Sequence, residues 1–175
     1  MIKNTLFLLF MSFLLLSGCQ KDDICAETTP TTPHLVIKFL DNENPLNTKA
    51  VTNLQVKEEN TMEDYFETPV SDTLIKIPLR TTENFTNYTF TINTPLDPDA
   101  EIEANDPLPN EDQLQFNYAK VAEYVGRACG YKTQFLAFEA SRVNEVGNTN
   151  WVKNIEVLQP NDITNEFDTH LYIYH

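Results

Sequence analysis

From His34 onward, apolar residues recur at every second position in short runs separated by polar turns, which is the signature of half-buried strands. Leu35, Ile37 and Phe39 alternate with Val36 and Lys38 and predict a first, mostly buried strand. A polar turn over 41–47 contains Pro45, and Thr52, Leu54 and Val56 then share one face of a second strand. Residues 57–70 are acidic and mixed and support no defined element. Ile75, Ile77 and Leu79 share a face in the next run. Pro78 within it removes a ladder donor, so this strand belongs at a sheet edge or ends there. Tyr88, Phe90 and Ile92, alternating with Thr89, Thr91 and Asn93, make the clearest half-buried strand of the chain.

Residues 93–112 break the pattern with four prolines and seven acids, and read as a long loop. Leu114, Phe116 and Tyr118 restore the alternation, and the phase then slips near Lys120 before Val121 and Val125, as a bulge would make it do. Gly126-Arg127-Ala128-Cys129-Gly130 turns the chain, and residues 131–139 form a further strand carrying Phe135 and Phe138. Trp151, Ile155 and Val157 mark one more strand, and 169–174 the last. About eight strands with polar turns and no long amphipathic helix predict an all-β fold, an antiparallel β-sandwich, immunoglobulin-like or similar, over residues 34–175. A β-barrel is the structural alternative.

The N-terminal stretch follows a different rule. Lys3 precedes an apolar run from Leu6 to Leu16, which ends in Ser17-Gly18-Cys19. That run is shorter than the roughly 20 residues a spanning helix needs, and its order is that of an export signal over 1–18. The ending resembles the bacterial lipobox. On that reading Cys19 becomes the acylated N-terminus, and a membrane holds the protein through its lipid, each buried methylene contributing about 0.8 kcal/mol. Residues 19–33, rich in threonine and proline, are then a lipid-anchored linker.

Charge narrows the partners. Without Lys3 the chain has 11 basic residues against 26 acidic ones, a charge of -15. Such a surface repels nucleic acid and anionic headgroups alike, so the tether, and not the protein surface, is what meets the membrane. Export also places the remaining cysteines, Cys25 and Cys129, in an oxidising compartment, where a disulfide is expected. The rival reading, a pair of redox thiols, lacks the CxxC spacing. The bond would dock the start of the domain against the strands around Cys129.

Candidate chemistry is sparse. The mature chain has two serines, Ser71 and Ser141, neither in a Gly-x-Ser-x-Gly elbow. His170 and His175 stand an odd number of residues apart on the last strand, so a regular strand cannot aim both at one metal; hydrogen-bonded strand ends are the expectation for the histidines. Asp97, Asp99, Glu101 and Glu103 alternate in the acidic loop, as oxygen ligands for calcium do. Pro98 stiffens the segment, however, and no glycine supplies the sharp turn, so a solvated loop is the preferred account. Tyr172 and Tyr174 share a strand face, and with Tyr65, Phe66 and Trp151 they offer aromatic surface for a glycan if they are exposed, although strand aromatics are more often core. No catalytic residue and no cofactor is expected.

Cys19-Gln20-Lys21-Asp22-Asp23-Ile24-Cys25, the Thr-Pro linker with its Leu-Val-Ile-Lys-Phe strand, and Arg127-Ala128-Cys129-Gly130-Tyr131-Lys132 together resemble uncharacterised lipoproteins of Bacteroidota, especially flavobacteria. The resemblance implies the Cys25–Cys129 pairing and an outer-membrane protein partner, and carries no activity. Gln20, Lys21, Asp22 and Asp23 resemble the signal that sends lipoproteins of that phylum to the cell surface, and Asp72-Thr73-Leu74 resembles its O-glycan acceptor. The expected function is a non-enzymatic, outer-membrane, lipid-anchored module acting through a protein partner. The alternative is a small glycan-binding sandwich, calcium-assisted or not.

Overall fold

A computed structural model describes residues 24–97, 99, 106–143 and 149–175. The signal segment, Cys19, the Gln20–Asp23 stretch and the loop acids Glu101 and Glu103 lie outside the described residues. Eight strands are formed: β1 (Leu35–Leu40), β2 (Gln55–Glu58), β3 (Leu74–Ile77), β4 (Phe85–Ile92), β5 (Asn110–Gly126), β6 (Gly130–Arg142), β7 (Asn154–Val157) and β8 (Leu171–Tyr174). They make two four-stranded sheets, ordered β3-β1-β8-β7 and β2-β4-β5-β6. Neither sheet closes into a barrel, so the architecture is the sandwich. Its strand order is not the A-B-E-D plus C-F-G arrangement of an immunoglobulin constant domain.

The backbone divides into two units. The larger, Pro30–Glu123 with Lys132–His175, is the sandwich, and its core follows from the alternation. In the first sheet Ile37 lies opposite Ile75 on β3 and Leu171 on β8, and Phe39 opposite Ile173. In the second, Tyr88 lies opposite Leu114, and Phe116, Phe138, Tyr118 and Phe135 stack inward, with centroids 5.6 Å apart for Phe116–Phe138 and 4.9 Å for Tyr118–Phe135. The inward tyrosines keep their hydroxyls bonded, as burial requires. Tyr88 donates to Pro78 O at 2.7 Å and Tyr118 to Arg80 O at 2.8 Å, fixing the segment that carries the chain from β3 across to β4. Trp151 is buried and donates its indole N–H to Phe90 O at 3.1 Å.

Three expectations change. The sheets are not wholly antiparallel, because β1 and β8 run parallel, Lys38 pairing with Tyr172. Strand parity is the same in either direction, so the alternation carried no sign of it. The slip expected near Lys120 does not bring Val121 into the core: β5 continues to Gly126 and Val121 is exposed on it. A phase slip sits in β6, where Phe135 and Phe138 are both buried although three apart. The extra residue is accommodated by Ala137, exposed and held at φ 51°, as a bulge requires. Finally, the loop after β4 ends sooner than residue 112, and β5 begins at Asn110 with Asp112 buried on the same parity as Leu114 and Phe116.

The smaller unit comprises the described residues Ile24–Thr29 together with Tyr124–Tyr131, the turn joining β5 to β6. Cys25 and Cys129 are disulfide-bonded within it, with Cα atoms 4.9 Å apart. Gly130 has φ 69°, a conformation that glycine adopts without the clash a Cβ would bring, and it lets the chain leave the turn. Tyr124 and Tyr131 pack edge to face across the turn at 5.3 Å.

Candidate functional site: the seam between two edge strands

Each sheet leaves two edge strands, and an uncovered edge offers free backbone groups to another chain. The edge of β2 is covered by the 59–70 segment, through Tyr65 N–H to Val56 O at 2.7 Å and the reciprocal Leu54–Val70 bonds. On β6 the cover is partial. Phe135 bridges Ile163, and Phe138 N–H donates to Asn161 O at 2.7 Å, but the bonding to the 161–163 segment stops there. Glu139–Arg142 therefore run on beside Val152–Val157, where β7 is the edge of the other sheet. Two clefts open along this seam, about 400 Å³ and about 200 Å³, with Ala140 and Ser141 lining both.

A buried polar cluster underlies the seam. Asp112, pointing inward from β5, accepts Val152 N–H on Oδ2 at 2.7 Å. With its amide turned to suit its neighbours, Asn150 donates to Asp112 Oδ1 at 2.8 Å and accepts from Arg142 Nη2 at 3.2 Å, while Arg142 Nη1 donates to Val152 O. A buried carboxylate needs such partners, and here they fix the backbone just before β7. Asp112 was readable from its parity with Leu114, but its partners Asn150 and Arg142 lie far along the chain. On the solvent side of β7, Glu156 accepts from Tyr174 Oη at 2.6 Å, and that contact, with burial second, pushes the Tyr174 hydroxyl up to about 12.

The seam carries no nucleophile–base pair among the described residues. Ser141 is there, but the three histidines are engaged elsewhere. His34 Nδ1 lies 2.5 Å from Glu166 Oε1, His170 Nδ1 accepts Val36 N–H at 3.0 Å, and His175 packs against Trp151 and Phe39. Ser71 is bound to Asn53, both to its backbone N–H and to its side chain.

A second concavity of about 770 Å³ lies on the outer face of β2, β4 and β5. Cross-strand rows build it: Lys57–Thr89–Gln113 and Gln55–Thr91–Glu111. Polar side chains dominate its lining, with Met62 and Pro109 among them. None of the aromatics that sequence suggested as a platform lines it: Trp151 is core, Tyr174 is buried, and Tyr65 packs on Phe66 at 5.0 Å. Of the calcium candidates, Asp97 and Asp99 are exposed, and Asp99 N–H donates to Asp97 Oδ1 at 3.0 Å. Among the described residues no three histidine, cysteine, aspartate or glutamate side chains converge as a metal site would require. Thr73 of the O-glycan resemblance is half-buried at the start of β3.

No curated protein and no solved structure matches this chain. A family model does, over residues 53–175, spanning β2 to β8 and Cys129 and leaving Cys19 and Cys25 outside. The chain belongs to that family, a family of unknown function, DUF6452.

Proposed function

We propose that this protein is a non-enzymatic lipoprotein of the cell envelope, held at the outer membrane by acyl chains on Cys19 and exposed at the surface, where it binds a partner protein along the β6–β7 seam. On its cysteine motifs it stands among the uncharacterised lipoproteins of Bacteroidota. The observation that carries the reading is the seam itself: two edge strands from opposite sheets run beside one groove, and an extended segment of a partner adds to such an edge through main-chain hydrogen bonds, with its side chains reading the clefts. Membrane placement rests on the lipobox-like sequence before Cys19, and the charge of -15 left without Lys3 keeps nucleic acid away.

A photo-crosslinking residue at Ser141 or Asn154, activated in intact cells, is expected to trap one discrete envelope protein. The same residue at Leu46, 99% exposed and remote in sequence from both strands, serves as the control. Equal, diffuse labelling from all three positions would falsify the seam. The concavity on β2-β4-β5 supports a second reading, a glycan held by hydrogen bonds, with calcium on Asp97, Asp99, Glu101 and Glu103 as an assisting ion. Binding on a glycan array that is lost in Thr89→Val and Gln113→Leu would favour it, and a rise in melting temperature at millimolar calcium would add the metal.

A further inference from the structure

The disulfide-closed tip differs in character from the chain that carries it. Over 24–29 and 124–131 it has one acid, Glu27, and one base, Arg127, in a protein of 26 acids and net charge -14. Its large side chains are also out in solvent, with Ile24 85% exposed, Tyr124 59% and Tyr131 70%. Exposed tyrosines paired edge to face, in one small unit with an exposed isoleucine and a lone arginine, are side chains suited to the boundary between water and hydrocarbon. There the ring is buried among acyl chains and the hydroxyl stays among headgroups. The lipid also cannot be far away. Ile24 lies five positions after Cys19, and a fully extended chain of that length spans at most about 18 Å.

We propose that this tip seats in the headgroup layer of the membrane that anchors Cys19, with Tyr124, Tyr131 and Ile24 as the contacting side chains. The inference rests on the lipid tether. The Cys25–Cys129 bond then has a second consequence: it fixes the start of the tethered segment to the tyrosine turn, so that a point on the leash and the seat are held together. An acyl anchor joined by a small aromatic seat gives two points of membrane attachment where the acyl chains alone give one.

The full chain, purified from membranes and analysed for acylation of Cys19 by mass spectrometry, would be reconstituted in phosphatidylethanolamine vesicles carrying a nitroxide near the headgroup. The parent's single tryptophan, Trp151, is buried in the sandwich and sets the baseline. Tyr131→Trp is expected to show quenching on the order of twofold above that baseline, as an indole at the interface would. Tyr124→Trp provides the same readout should the first variant misfold. An acylated chain in which neither introduced indole is quenched beyond the parent overturns the seat and leaves the tether standing. An unmodified Cys19 overturns both.

Discussion

Glu166 and His170 show how single side chains are set by what the sheets bring to them. Burial alone would raise the Glu166 carboxyl. His34, which reaches it with both its ring and its backbone N–H, and Lys76, 3.2 Å away, outweigh this and hold it down at about 2. A carboxyl with a folded value below its ordinary 4.5 contributes stability that is complete above about 4.5 and is lost as pH falls through about 2. Glu166→Gln is therefore expected to melt below the parent at neutral pH, with the two melting temperatures converging as pH is lowered toward 2. For His170 burial is the main cause and lowers its value, while Asp168 and Glu166 oppose it. Its Nδ1 accepts Val36 N–H, so the proton sits on Nε2, and the Asn165 backbone also opposes the lowering. The neutral ring is what the fold stabilises: stability is complete above pH 6.5 and is lost as pH falls through the lowered folded value. His170→Gln should flatten that decline in a pH series of thermal melts, leaving the share of His175, whose value burial also lowers.

Among the elements, β6 turns on one residue. Phe135 and Phe138 both enter the core because Ala137 adopts the left-handed conformation and gives its N–H to Asp162 Oδ1 at 2.9 Å. Alanine is strained there, and a β-branched side chain more so. Ala137→Val should destabilise by about 1–3 kcal/mol in urea unfolding, whereas Ala137→Gly should be neutral or stabilising by up to about 1 kcal/mol. Equal losses from both would mean that the bulge is not what sets the phase. The sequence contained this clue, since two buried aromatics at odd spacing within one strand demand an inserted residue. The slip was instead expected near Lys120, because Val121 and Val125 look like core. Val121 is 45% exposed. Hydrophobicity alone does not tell a buried valine from an exposed one.

At the scale of the whole molecule, the Cys25–Cys129 bond closes a chain separation of 104 residues, and through it most of the sandwich sequence lies inside one covalent loop. Cross-linking so long a loop restricts the unfolded ensemble, a contribution of about 2–4 kcal/mol in proteins generally. Cys25→Ser and Cys129→Ser should each lower stability by about that amount under oxidising conditions, and the parent in reductant should match them. A variant as stable as the oxidised parent would leave the bond a role only in the tip.

The sequence by itself determined the inner and outer faces of nearly every strand, because burial on one side imposes a period of two that each strand displays alone. It also set the acidic charge, and its first 19 residues carry the pattern from which an export signal is expected. Which strands are neighbours was a tertiary decision, for a strand's own alternation is unchanged by the identity or direction of its partner. The parallel pairing of β1 with β8, the gathering of Asp112, Arg142 and Asn150 beneath the seam, and the running of β6 beside β7 at its open edge all join residues distant in sequence. Contacts of that kind are fixed by how two sheets fill one core, and no local pattern records them.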